Sequence, residues 1–297
     1  MVDFIKVKLI GCNFEELRKK LTFTLDGVDT TTGELVNKVK NGVERKSHLT
    51  AEFRGLKIIK YDSGYMTLSG SLHKYLNEGK HNSNDFNFDA FLSVLSELES
   101  ILDIPLSAMQ LTQLEVGINV NLPFRTKEVL ESCLNHKKKV FKWGAFGYNS
   151  NYIQSEHSQY IIKIYDKYVQ YKEILPNDKP LLRFEVKYLK MEKLSLDLSK
   201  FKIYKKSISL SDLVECKLIP FKTILLEQWE NVLFYDYTLN IPDLQRDKLS
   251  NPINWGKMQA SNYKKQKANL YELTEYSSDK IQSQIKCFFS NKIEELL

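Results

Sequence analysis

Apolar and polar residues alternate with the period of a strand in three short segments: Gln113-Leu-Glu115-Val-Gly-Ile-Asn119, Ile161-Ile-Lys163-Ile-Tyr165-Asp-Lys167 and Leu182-Arg183-Phe-Glu185-Val-Lys187-Tyr188. Successive strand side chains point to opposite faces, so Leu114, Val116 and Ile118, Ile162 and Ile164, and Leu182, Phe184 and Val186 form apolar faces. The opposite faces collect Glu115 and Asn119, then Lys163, Tyr165 and Lys167, then Arg183, Glu185 and Lys187. If the three strands share one sheet with helices behind it, two carboxylates, a tyrosine and several cations converge on its open face. Such a set suits phosphoryl transfer.

The same pattern predicts the other elements. Phe4 to Ile10 reads as a strand, and Asn13 with Glu16 three residues later marks the start of a helix. Leu49 to Arg54, Leu56 to Tyr61 and Tyr65 to Leu72 read as strands, with Asp62-Ser-Gly64 as a turn. Helical spacing from Phe88 to Leu102 puts Phe91, Leu92, Leu95, Leu98 and Leu102 close to one stripe, bounded by Pro105. Thr126 can cap a helix through about His136. This order describes an α+β fold, an antiparallel sheet backed by helices. Beyond Ser207, Leu213 to Tyr235 and Asn262 to Leu297 look largely helical, separated by the Asn240 to Trp255 stretch. Two regions follow: 1–207, which carries the candidate chemistry, and a mainly helical 208–297.

With 42% apolar residues, 16 Tyr and 16 Phe, the chain can bury a substantial core and is not a disordered one. No run is long enough to span a membrane, and the first residues lack the layout of a secretion signal, so the expected location is the cytoplasm. Cys12, Cys133, Cys216 and Cys287 lie far apart without a Cys-x-x-Cys pair, which predicts buried free thiols. A net charge of +6 is compatible with a polyanionic partner without requiring one. More telling are Lys137-Lys138-Lys139, Lys205-Lys206 and Lys264-Lys265-Gln-Lys267, which sit near Phe141, Trp143, Tyr204 and Tyr263. Cations follow phosphates and rings stack on unpaired bases, so these clusters suit single strands, although lysines beside core aromatics read the same way.

Three elements resemble the replication initiators of filamentous phages and small rolling-circle plasmids. Ser69-Gly-Ser71-Leu-His-Lys74-Tyr75 is similar to that family's Gly-Ser-x-x-Lys-Phe element, Ile164-Tyr165-Asp166-Lys167 to its Tyr-Asp-Lys element, and Leu182-Arg183-Phe-Glu185 to its Arg-x-Glu strand. The resemblance covers roughly residues 50 to 190. It implies a metal-dependent nicking and joining endonuclease that keeps a 5′-phosphotyrosyl link, acting on single-stranded or supercoiled origin DNA, with a host helicase and polymerase as further partners. It also implies that Tyr165 is the nucleophile and that Glu115 and Glu185 belong to the metal or catalytic site. Tyr160, Tyr168 and Tyr171 are rivals for the nucleophile, and in a strand only Tyr171 would share the face of Tyr165.

Departures from the pattern matter. None of His48, His73, His81, His136 and His157 forms a His-hydrophobic-His pair, so Mg²⁺ or Mn²⁺ would rest mainly on carboxylates. Where related initiators carry Arg-x-Asp-x-x-x-Asp, this chain has Gln113, Glu115 and Asn119, which makes Asn119 a weaker candidate ligand. Lys163, Lys167, Arg183 and Lys187 can neutralise a phosphate or favour a phenolate, with Lys167 placed best by its motif. Two other readings stay open: a non-catalytic protein that binds single-stranded or origin DNA, and a mobilisation relaxase.

Overall fold

The computed structural model describes residues 1–25, 38–40, 43–45, 48–147, 150–174, 179–277 and 279–297. Two compact units interleave along the chain: an amino-terminal unit of residues 2–115 and 190–217, and a carboxy-terminal unit of Met1, 116–189 and 218–297. The boundary expected near residue 208 does not separate them, because the strand Met109–Asn121 passes from one unit to the other after Glu115.

In the amino-terminal unit, antiparallel strands run in the order Val2–Leu9, Met66–Ser71, Leu56–Lys60, Leu49–Phe53 and Thr24–Leu25. Ile5, Val7, Leu68 and Ile58 are fully buried on one face. Gly64 adopts φ +80 in the turn expected at Asp62-Ser-Gly64, and its N–H donates to the Tyr61 carbonyl at 2.9 Å. The helix Phe88–Leu102 is capped by the Asn87 side chain, which accepts from the Ala90 N–H. It buries Phe91, Val94, Leu95, Leu98 and Leu102. Val94 thus holds the place expected for Leu92, and each such burial contributes about 1.5–3 kcal/mol. Ser71 caps the short helix Leu72–Leu76, which packs on the Val2–Leu9 strand and on Phe88–Leu102.

In the carboxy-terminal unit the antiparallel order is Lys142–Trp143, Tyr152–Glu156, Tyr160–Asp166, Leu181–Tyr188, then the end of Met109–Asn121. Helices Ile219–Glu230 and Ile281–Leu296 back these strands, since the Phe184 ring meets Trp229 edge-on at 5.6 Å and stacks on Phe289 at 5.5 Å. The mainly helical region therefore supplies core to the strands that carry the candidate chemistry.

The helix expected through His136 ends at Ser132. Cys133–His136 is instead the middle strand of a small sheet, between Lys139–Val140 and Val232–Phe234. A second core lies beside it, formed by Leu134, Leu233, Trp255, Tyr263 and Leu270 among others. Tyr263 is 7% exposed and its hydroxyl donates to Asn135 Oδ1 at 2.8 Å, and Phe141 is also buried. Two of the four rings beside lysine runs, Phe141 and Tyr263, are thus core residues, whereas Trp143 is half-buried, with Lys127 Nζ 4.1 Å from its centroid, and Tyr204 is exposed. All four cysteines are free; only Cys133 is buried, and Cys287 is exposed. Among the described residues, no helix is long and apolar enough to cross a membrane.

Candidate active site

The strand Tyr160–Asp166 ends one residue before Lys167, which opens the short helix Lys167–Tyr171. Asp166 causes the change of direction by capping that helix, its Oδ1 accepting from the Val169 N–H at 3.2 Å. Burial raises the Asp166 carboxyl above its ordinary pKa, against the pull of these hydrogen bonds. The motif Tyr-Asp-Lys thereby turns the lysine inward. Lys167 is fully buried, and its Nζ lies 3.4 Å from the Tyr165 hydroxyl oxygen, 5.3 Å from the Tyr165 ring centroid and 5.0 Å from that of Tyr171. Lys167 and Tyr171 do not extend the strand, yet Lys167 reaches the tyrosine that the motif pairs with it.

The Tyr165 hydroxyl donates to Glu185 Oε1 at 3.1 Å. The same oxygen accepts from Arg183 Nε at 2.5 Å, while Arg183 Nη1 donates to Asn119 Oδ1 at 2.8 Å. Register explains the grouping: Tyr165 faces Arg183 and Lys163 faces Glu185 across antiparallel strands. Tyr165, Arg183 and Glu185 are 8%, 3% and 5% exposed, so the face expected to be open is buried here. Charged residues can occupy such a face because Glu185 Oε1 and Asn119 Oδ1 accept from Arg183.

Gly117 makes the close approach possible. A Cβ there would lie 2.8 Å from Glu185 Cγ and from the Phe184 carbonyl oxygen, and 3.1 Å from Arg183 Nη2. Gly117→Ala is expected to cost about 1–3 kcal/mol by overpacking and to displace the Arg183–Glu185 pair. Thermal denaturation of the variant checks the first, and an unshifted melting temperature would show that the strand relaxes freely. A glycine inside a strand pattern signals this kind of approach.

Tyr152 also belongs to the group. It is half-buried, pairs directly with Tyr165 across the strands, and the Lys163 ammonium lies 4.7 Å from the Tyr152 ring centroid and 4.8 Å from that of Tyr165. Only its place on the Tyr152–Glu156 strand reveals this.

Of the expected metal ligands, Glu185 and Asn119 come together through Arg183, and Glu115 lies four residues before Asn119 on the same strand. The Arg183 guanidinium already donates to Glu185 Oε1 and Asn119 Oδ1, and among the described residues no three His, Cys, Asp or Glu side chains form a metal-ligating group. A divalent cation placed on Glu185 Oε1 and Asn119 Oδ1 would have to compete with the Arg183 guanidinium for both oxygens. Calorimetric titration with Mn²⁺ is accordingly expected to give equal affinity for the native chain and for Glu185→Gln. Binding lost in the variant would mean that Arg183 yields its acceptors to the metal.

His73, His136 and His157 each meet another side chain. His73 Nε2 pairs with Asn84 Oδ1 at 2.7 Å and its ring stacks on Phe86. Although not adjacent in sequence, His136 and His157 meet through Nδ1 and Nε2 at 2.9 Å, and burial, with His157 and Lys137 nearby, pushes the His136 pKa down to about 3.

No family model and no curated protein matches this chain. Among solved structures, that of a rolling circle replication initiator protein from Geobacillus stearothermophilus is similar at 14% identity and a TM-score of 0.41, over 83% of this chain and 90% of that one.

Proposed function

We propose that this chain is a replication initiator that nicks one strand of origin DNA with Tyr165 and later rejoins the ends. The observation that carries the reading is the position of the Tyr165 hydroxyl between the Lys167 ammonium and the Glu185 carboxylate. A neighbouring ammonium favours the phenolate, and a carboxylate that already accepts the phenolic hydrogen bond can receive the proton. In the proposed step the Tyr165 oxygen bonds to phosphorus, its proton passes to Glu185, and the bond from phosphorus to the 3′ oxygen breaks. That oxygen leaves as a hydroxyl, protonated from solvent, and the 5′ phosphate stays on Tyr165. Reversal restores the diester without an external energy source, as initiation and termination on a circle require. Arg183 positions Glu185 and offers positive charge near the phosphate. On this reading the substrate is single-stranded or supercoiled origin DNA, a host helicase and polymerase act at the opened origin, and the cytoplasm is the place of action. A transfer origin would make the same chemistry a relaxase.

The burial of Tyr165 favours a second reading, in which the Tyr165–Glu185–Arg183 network only braces a DNA-binding sheet. A single-stranded origin oligonucleotide labelled at its 3′ end separates the two. Label retained on the denatured protein supports the nuclease. Binding without any label transfer, with or without added Mg²⁺ or Mn²⁺, supports the brace.

A further inference from the structure

In the amino-terminal unit, the face opposite Ile5, Val7, Leu68 and Ile58 has a different composition. Phe4, Lys6 and Lys8 alternate along the first strand, each half-buried between fully covered neighbours. Strand register places Lys6 beside Ser69 and Ser69 beside Lys57, and places Lys8 beside Thr67 and Thr67 beside Ile59. Each row thus sets a lysine next to a hydroxyl. Thr67 Oγ1 is buried without a hydrogen-bond partner. Glu52, at the outer end of the first row, is ion-paired with Lys57 at 3.1 Å.

Aromatic rings mark its two ends. Phe4 lies opposite Ser71 at one end; at the other the Tyr61 and Tyr65 rings are 5.3 Å apart, with Lys8 Nζ 5.0 Å from the Tyr65 centroid. Phe4 and Lys8 are four strand residues apart, roughly 13 Å at about 3.3 Å per residue. An antiparallel sheet with rings on one face stacks two or three unpaired bases at such a spacing, and lysines between the rings meet the phosphates.

We propose that this face binds a short run of single-stranded DNA, with Tyr65 and Phe4 stacking on bases and Lys6 and Lys8 contacting phosphates. The residues of this face and the Tyr165 group fall in different units, and binding here does not depend on nicking, so the two claims fail independently.

The test is fluorescence anisotropy of the full chain with a labelled 20-nucleotide mixed-sequence DNA across a salt series. Each lysine that neutralises a phosphate contributes about 0.7 to the slope of log affinity against log salt for single strands, so the double variant Lys6→Ala/Lys8→Ala should lower the slope by about 1.4. Tyr65→Ala should weaken binding about 5- to 150-fold, whereas Tyr65→Phe should keep it. An unchanged slope in the lysine variant overturns the proposal even if Tyr65→Ala simply fails to fold. So does equal loss of duplex binding in that variant, which would mark a general polyanion patch, or tighter binding of RNA of the same sequence. Label transfer to Tyr165 from a short oligonucleotide spanning the cut, read in the lysine variant, tests the nuclease reading separately.

Discussion

A chain ending at Lys206 is expected not to fold. It would lose Trp229 and Phe289, which cover the buried Phe184 ring behind the strands of the candidate site, and the Leu233, Trp255, Tyr263 and Leu270 cluster beside Cys133–His136. Removing a single buried Trp or Phe side chain costs about 3–5 kcal/mol, and a domain has only about 5–15 kcal/mol in total. Exposed core should therefore give aggregation in size-exclusion chromatography and no cooperative melt by circular dichroism. A monomeric truncated chain with a sharp melt would mean that the strands hold together without these helices, and would return residues 208–297 to the role of an appendage.

The Tyr165→Phe variant is expected to lose DNA cleavage and covalent capture by at least about a thousandfold, because only the attacking oxygen is removed. Its cost in stability should be small, about 0.5–1.5 kcal/mol, because Glu185 keeps its bond from Arg183 when the phenolic donor is gone. DNA affinity should hardly change. Normal nicking by this variant, with loss of nicking in Tyr171→Phe, would move the nucleophile to the buried ring on the other side of Lys167.

The period of two in Leu182 to Tyr188 gave the strand and its inner face, because Phe184 and Val186 bury as alternation requires. It misled on the outer face. Charged residues suggest solvent, but Arg183 and Glu185 satisfy one another and are buried, and a partner such as Asn119, 64 residues away, leaves no local trace. Lys167 reaches Tyr165 by a route that alternation does not describe, because alternation assumes a continuing strand whereas Asp166 caps a helix there. Cys133–His136 was hidden because its pairing with Val232–Phe234 is long-range and each segment is shorter than the windows that reveal a period. Tyr263 was obscured by the exposed lysines beside it. Gly117 and Asp166 were the available signals: a glycine within a strand and a helix cap after one.

In the proposed reaction Tyr165 carries the cut strand. Mass spectrometry of the native chain, digested after incubation with single-stranded origin DNA and Mn²⁺ or Mg²⁺, tests it most directly. A nucleotide adduct is expected on the peptide that contains Tyr165 and is expected to be absent from Tyr165→Phe. An adduct on a different tyrosine, or none while the DNA is cut, would contradict it.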